Sequence, residues 1–106
     1  MDLLGVPQEF LQFVSESGRR VRLVDLGLES VPEWLASLPI LTRLDLSSNR
    51  LTSLPDWLGN LAGLTSLFVS HNQLASLPQS LSNLTSLTTL DVSGNLGFPS
   101  YRGHIA

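Results

Sequence analysis

Hydrophobic residues recur along most of this chain with a constant step of 23 positions. Residues 41–63 align without a gap to residues 64–86, and 12 of the 23 positions are identical. The apolar positions of the first stretch, all filled again in the second, are Leu41, Leu44, Leu46, Leu51, Leu54, Leu58 and Leu61. Their counterparts are Leu64, Leu67, Val69, Leu74, Leu77, Leu81 and Leu84. A fixed period of this length predicts a repeat architecture in which each unit stacks on its neighbours.

The same frame extends in both directions along the chain. Upstream, residues 18–40 keep the apolar register, although Leu26 stands where later units have asparagine. Downstream, a fourth copy begins at residue 87 and departs from the pattern at Gly97 and Phe98. We therefore interpret the chain as one domain, residues 1–106. Its predicted parts are a cap (1–17), three full units (18–40, 41–63 and 64–86) and a partial unit with a tail (87–106).

Each unit contains the signals of a short strand, a turn and a second short segment. In Leu44-Asp45-Leu46, apolar and polar residues alternate as they do in a half-buried strand. Asparagines follow at the turns, at Asn49, Asn72 and Asn95. A buried amide there can bond the backbone groups exposed where the chain leaves the strand. Prolines at Pro32, Pro55 and Pro78 then predict a short helical or extended segment, because proline presets the backbone.

The pattern LxxLxLxxNxLxxLPxxLxxLxx resembles that of leucine-rich-repeat proteins of the typical 23-residue kind. The resemblance covers residues 18 to about 95, and the LPxxLxxL half is similar to repeats of cytoplasmic Ras-group-like proteins and of bacterial repeat proteins. It implies an α/β solenoid, a right-handed coil with a short-stranded parallel sheet on its concave face. It identifies the fold far more specifically than the function.

Both ends of a solenoid need covers. Val6, Phe10, Phe13 and Val14 recur at i, i+4, i+7 and i+8, which predicts an amphipathic capping helix over residues 6–17. We interpret its aromatic stripe as core, with a partner-binding helix as the alternative. At the other end, Phe98, Tyr101 and Ile105 are expected to fold over Leu87 and Leu90. The alternative is that the chain is a fragment of a longer array, which would leave that edge open.

Two tryptophans, Trp34 and Trp57, occupy equivalent places 23 residues apart. We expect them to pack on one another or to cover the layer opposite the sheet. A second interaction surface is the alternative.

Outward strand positions of successive units are predicted to lie side by side about 4.8 Å apart. The four rows are Arg20-Arg43-Ser66-Thr89, Arg22-Asp45-Phe68-Asp91, Val24-Ser47-Ser70-Ser93 and Asp25-Ser48-His71-Gly94. From them we predict partner-binding residues Arg20, Arg22, Arg43, Asp45, Phe68, Ser70, His71 and Asp91.

Phe68 carries most of this prediction, because an exposed aromatic beside acidic residues has the composition of a binding hot spot. A tolerated surface aromatic is the alternative. Arg22 and Asp45 are also candidates for a simple pair across strands. The cluster of Arg19, Arg20 and Arg22 is either a solvated face or a contact for an acidic partner.

Composition removes several classes of chemistry. The chain has no cysteine and two histidines, and it lacks an HExxH motif, so no metal site is expected. No phosphate-binding glycine loop is present, so no cofactor is expected. A serine nucleophile would need a histidine base in a water-excluding pocket, which the open face predicted around His71 does not offer. We therefore expect no enzyme activity.

Charge and hydropathy narrow the partners. The formal net charge is −3 and the pI is near 5.1, which does not favour nucleic acid. No apolar stretch approaches the length that spans a bilayer, and the N-terminus does not resemble a signal peptide, so cytoplasm is expected without a membrane role. We predict a non-catalytic module that binds a protein on the concave face, as a monomer or within a longer array. The alternative is a structural or regulatory segment of a longer repeat protein.

Overall fold

A computed structural model describes residues 5–38 and 40–98, together with the backbone of residues 102–103. The strands in these ranges are β1 (Arg20–Arg22), β2 (Arg43–Asp45), β3 (Ser66–Phe68), β4 (Thr89–Asp91) and β5 (Arg102–Gly103). The helices there are all of the 3₁₀ type and cover Gln8–Phe13, Glu33–Ser37, Asp56–Asn60 and Gln79–Asn83. Strand and 3₁₀ helix therefore alternate once per unit.

The strands form one sheet in the order of the sequence. β1 to β4 are parallel, and Val21, Leu44, Leu67 and Leu90 are direct partners across them. β5 joins the far edge of β4 in the antiparallel direction. The predicted parallel sheet and its register are confirmed, since each strand lies one 23-residue step from the next.

The apolar residues of the repeat form a single continuous core. Leu44 and Leu67 have no exposed surface, and Leu90 keeps only 3%. Leucines of the same unit positions, such as Leu51 and Leu74, are also fully buried. Because each unit is too thin to enclose its own leucines, burial is completed by the units on either side.

Buried asparagine side chains tie successive turns together. The Asn72 Nδ2 group donates to the carbonyl oxygens of Leu46 and Val69, both at 3.0 Å. Its Oδ1 atom accepts from the Leu51 N–H at 3.0 Å. Asn49 and Asn95 make the equivalent bonds. The predicted amide ladder is confirmed, and each amide joins its own unit to the preceding one.

The first unit has Leu26 in place of this asparagine, and its side chain is 37% exposed. Its turn is held by the next unit, because Asn49 Oδ1 accepts from the N–H groups of Leu26 and Leu28 at 3.0 and 3.1 Å. One amide can therefore organise the turn of the unit before it.

Each proline of the repeat immediately precedes a 3₁₀ helix. Pro32, Pro55 and Pro78 have φ values of −60°, −73° and −68°. A proline ring holds φ near this value, so it starts a helical turn at little entropic cost. The prediction of a short helical or extended segment is confirmed in its helical form.

The N-terminal cap differs from the predicted amphipathic helix over residues 6–17. Helical structure is limited to the 3₁₀ helix Gln8–Phe13, and Val14 then forms an antiparallel bridge with Val21. The Ser15 N–H donates to the Arg20 carbonyl at 2.9 Å. The chain pairs with β1 instead of continuing as a helix, because this pairing satisfies backbone N–H and C=O groups on the outer edge of β1.

The predicted apolar stripe of the cap is nevertheless part of the core. Val6 is buried, and Phe10, Phe13 and Val14 pack against the core with partly exposed side chains. The structure therefore supports the interpretation of the stripe as core, although the backbone that carries it is not a regular α-helix.

Trp34 and Trp57 cover the layer opposite the sheet, where both pack against the core. The ring of Trp34 lies 5.4 Å from that of Phe10, measured between centroids. Among the described aromatic residues, Trp34 and Trp57 form no ring pair with each other. Covering the core, rather than mutual stacking, is thus the observed role.

At the C-terminal end, Phe98 packs against the core, and β5 pairs with β4 through Leu90 and Gly103. Tyr101 and Ile105, which we also expected to cover this end, lie outside the described residues. The outer edge of β4 is therefore occupied by an antiparallel strand.

Replacing a core leucine tests the stacked arrangement. Leu67→Ala should lower the free energy of unfolding by about 2–5 kcal/mol, because it leaves a cavity in a fully buried site. Urea denaturation measures the loss. Leu96→Ala is the matched control, since Leu96 is 76% exposed and its truncation should change stability by about 0.5 kcal/mol or less. Similar losses for the two variants would contradict the buried position of Leu67.

Replacing a ladder asparagine tests the turn-to-turn bonds. Asn72→Ala should cost about 1–3 kcal/mol, because it leaves the Leu51 N–H without its partner in the interior. It also removes one of the two amide donors from each of the Leu46 and Val69 carbonyls. Gln73→Ala removes the neighbouring exposed side chain and should change little. Thermal melts of both variants compare them. If Asn72→Ala melted like the unmodified chain, the ladder would not be a stabilising element.

Candidate functional site

The outward side chains of β1 to β4 form one surface, which we call the sheet face. Direct partners across the strands are Arg20-Arg43-Ser66-Thr89 in one row and Arg22-Asp45-Phe68-Asp91 in the other. The parallel backbone ladder continues past the strand ends. There the backbone N–H groups of Asp25, Ser48 and His71 donate to carbonyl oxygens of the following unit. The structure thus brings the predicted rows together in the predicted order.

Phe68 and Arg43 form the contact at the middle of this face. The guanidinium carbon of Arg43 lies 4.6 Å from the centroid of the Phe68 ring, within the range of a cation–π interaction. Phe68 is partly buried, whereas Arg43 is exposed. An aromatic ring that remains accessible beneath a guanidinium offers both apolar and charged contacts to a binding partner.

Two predicted partner-binding residues have roles within their own turns. Asp45 Oδ1 accepts from the Ser47 N–H at 3.0 Å. Asp91 Oδ1 accepts from the Ser93 N–H at 3.1 Å and from its hydroxyl at 2.7 Å. Such bonds from an aspartate to a backbone group two residues later stabilise the turn. Both carboxylates therefore serve local structure whether or not they also meet a partner.

Ser70 is not on the exposed part of the face. Only 9% of its surface is exposed, and its hydroxyl is hydrogen-bonded to that of Ser47 at 3.1 Å. We predicted it as partner-binding because its position in the row follows strand alternation, and the cross-strand hydroxyl pair was not visible in the sequence. We therefore leave Ser70 out of the candidate surface. Its described hydrogen bond also joins it to another serine and not to His71.

His71 is exposed, but it lies in a turn and not on the strand. Its φ is 55°, and Asp25 and Ser48 have φ values of 59° and 60° at the equivalent places. The fourth member of the row is Gly94, with φ 74°. This left-handed conformation is favourable for glycine and costs about 1–2 kcal/mol for other residues. The row is thus a repeated backbone turn as much as a line of side chains.

Arg20, Arg22 and Arg43 carry exposed guanidinium groups at one end of the sheet face. Among the described residues, a salt bridge joins Arg50 to Glu29 at 3.9 Å, and it involves none of these three arginines. Within the same described ranges, Arg22 forms no ion pair with Asp45, its partner in register. The simple cross-strand pair considered from the sequence is therefore absent there, and these positive charges are available to a ligand.

These arginines border an open depression of about 450 Å³, which we call the arginine depression. Its walls are residues 12–15 of the cap on one side and Arg20, Arg22, Arg43 and Asp45 on the other. Sequence reasoning missed the cap side, because Phe13 and Val14 reach the sheet only through the antiparallel bridge at Val14. A stripe of apolar residues gives no sign of such a bridge.

Metal sites and membrane-spanning helices concern the described part of the chain, residues 5–38, 40–98 and 102–103. No group of three or more histidine, aspartate or glutamate side chains is placed there to hold a metal ion. Nor does any helix in that part have the length and apolar character needed to cross a membrane.

Comparisons with known proteins concern the repeats. Residues 28–74 and 41–96 match the family described as leucine rich repeat. A solved structure, a leucine-rich-repeat protein of Leptospira interrogans, is similar with a TM-score of 0.60 and 25% identity. The likeness covers 73% of this chain and 26% of that protein, so the chain spans about a quarter of its length. Among curated proteins, no match to this sequence is found.

A double-mutant cycle tests the contact at the middle of the face. Arg43→Ala and Phe68→Leu, singly and combined, should give a coupling of about 0.5–1 kcal/mol in the free energy of unfolding. The coupling arises because either change removes the same ring–guanidinium attraction. Urea denaturation of the four proteins measures it, and strictly additive effects would show that the contact does not form in solution.

Proposed function

The chain belongs to the leucine-rich-repeat family, and from this premise we propose that it is a non-catalytic module that binds a protein partner on its sheet face. The family is in general one of protein-interaction modules, and this chain carries the repeat over most of its length. We place the centre of the binding surface at Phe68 and Arg43, with Arg20 and Arg22 at one end.

The observation that carries this proposal is the partly buried Phe68 ring beneath the exposed Arg43 guanidinium. Aromatic and arginine side chains dominate binding energy at protein interfaces, because they combine large apolar area with directed polar contacts. Parallel strands hold both residues at fixed spacing, so little conformational entropy is lost when a partner binds. A rigid, shallow face suits a macromolecule better than a small substrate.

Support for a non-catalytic role comes from the polar side chains around His71. The Ser70 hydroxyl is buried against Ser47, and Asp45 and Asp91 bond within their own turns. A hydrolytic set would need serine, histidine and carboxylate in one hydrogen-bonded chain. The family and its fold are also typically non-catalytic.

A second candidate role is that of a structural or regulatory segment in a longer repeat protein. The similar solved structure favours it, because this chain spans only 26% of that protein. Against it, β5 already occupies the outer edge of β4, so another parallel repeat at that edge would have to displace β5. We therefore rank it second.

The test compares matched variants in an affinity capture from the source cell. The variant Phe68→Ala with Arg22→Glu should recover at least tenfold less of whatever protein the unmodified chain captures, because it removes the aromatic anchor and reverses one charge. Arg50→Glu is the control, since it makes the same charge change at an exposed site away from the sheet face. Equal recovery by all three chains would overturn the sheet-face assignment. Circular dichroism establishes that each chain is folded.

A further inference from the structure

We propose that the arginine depression binds an extended acidic segment of a protein partner, with carboxylates at alternate positions seated on Arg20 and Arg22. This inference rests on the proposed function and adds to it the chemistry of the partner. The depression has two unlike walls. The wall from the cap holds Phe13 and Val14 between the polar Gln12 and Ser15, and the opposite wall is mainly basic. Each wall restricts what can bind.

The basic wall consists of three exposed guanidinium groups that have no ion-pair partner among the described residues. A guanidinium presents two parallel N–H donors that match the two oxygens of a carboxylate. Three such groups on adjacent strands repel one another, and an anionic ligand relieves that repulsion. The wall therefore favours carboxylates over neutral or basic groups.

The spacing of the arginines favours an extended peptide. Arg20 and Arg22 are two residues apart on β1, so their side chains emerge on the same face about 6.6–6.8 Å apart. Alternate residues of an extended peptide have the same spacing. Two carboxylates at positions i and i+2 can therefore meet the two guanidiniums, while Arg43 lies beside Arg20 on the next strand.

The cap provides an apolar patch in the middle of its wall. Phe13 and Val14 line the depression and remain partly exposed there. An apolar residue next to the acidic pair would cover these side chains and remove apolar surface from water, which favours binding. This contact distinguishes an acidic segment with a neighbouring apolar residue from a purely charged tail.

Asp45 sets a limit on the acidic ligand. It lines the depression beside Arg22, and its Oδ1 atom is held by the Ser47 N–H. A carboxylate fixed in this place repels a third negative charge that extends along the row toward Phe68. A continuous run of phosphates would meet this repulsion, so protein carboxylates at two positions fit better than nucleic acid.

The experiment titrates the full chain with end-capped decapeptides and follows binding by NMR of the arginine Nε–H signals. The first probe alternates glutamate with serine and ends in leucine. A second has the same composition with the glutamates in one block, and a third has glutamine for glutamate. The first should bind at least threefold more tightly than the second and tenfold more tightly than the third, with shifts centred on Arg20 and Arg22.

Single substitutions locate the site. Arg22→Gln should weaken binding of the first probe about tenfold, and Arg22→Lys should restore part of the loss because lysine keeps the charge without the planar fork. Asp45→Asn should tighten binding about twofold, since an amide oxygen keeps the acceptor for Ser47 while the negative charge is lost. Arg50→Gln is the matched control, because it removes an exposed charge outside the depression, and it should change affinity less than twofold.

Several outcomes would overturn the inference. They are equal affinity for the glutamate and glutamine probes, an equal effect of Arg50→Gln and Arg22→Gln, and tighter binding of a ten-nucleotide oligothymidylate than of the first probe. None of these outcomes bears on the partner capture that depends on Phe68. If Phe68→Ala alone abolished capture while the arginine substitutions had no effect, partner binding on the sheet face would be supported and binding of an acidic segment in the arginine depression would be refuted.

Discussion

The structure depends on bonds that each unit makes to the one before it. No unit can enclose its own leucines, and the turns that carry Asn49, Asn72 and Asn95 share hydrogen bonds with the unit before them. Asn72 shows the principle, since its amide bonds the carbonyl of Leu46 in the preceding unit and that of Val69 in its own. Stability is therefore a sum over neighbouring pairs. Each terminal unit has a neighbouring repeat on one side only, so its other side must be covered by something else.

Both ends of the sheet are covered by antiparallel backbone pairing. Val14 pairs with Val21 in the antiparallel direction at one edge of the sheet, and β5 pairs with β4 at the other. Exposed strand edges invite association with other chains, and an antiparallel cover removes the free N–H and C=O groups. At the first edge the cover also creates a feature, because Val14 and Phe13 become a wall of the arginine depression.

The interior could be predicted from the sequence far better than the surface. Leu44, Leu67 and Asn72 recur at a fixed step, and a fixed step in a solenoid determines both the neighbour and the direction of each side chain. For the cap, the apolar stripe was interpreted correctly as core, but the helix predicted over residues 6–17 was wrong in type and extent. A stripe at i, i+4 and i+7 suits an α-helix and equally a short 3₁₀ turn that continues into a bridge. Ser70 was placed on the open face because alternation does not show that two hydroxyls will pair across strands. Tertiary pairing, which no local pattern encodes, decided both cases.

The net charge of the chain gave no indication of the basic arginine depression. A value of −3 argues against a broad positive field, yet the arginines of β1 and β2 lie together at one end of the sheet face. At physiological salt the field of an exposed charge decays over about 8 Å, so a ligand at the depression responds to its nearest neighbours and not to acids on distant surfaces. Composition thus bears on long polyanions, which sample the whole molecule. A short acidic segment samples only the local charges, and there Arg20, Arg22 and Arg43 outnumber the single carboxylate of Asp45.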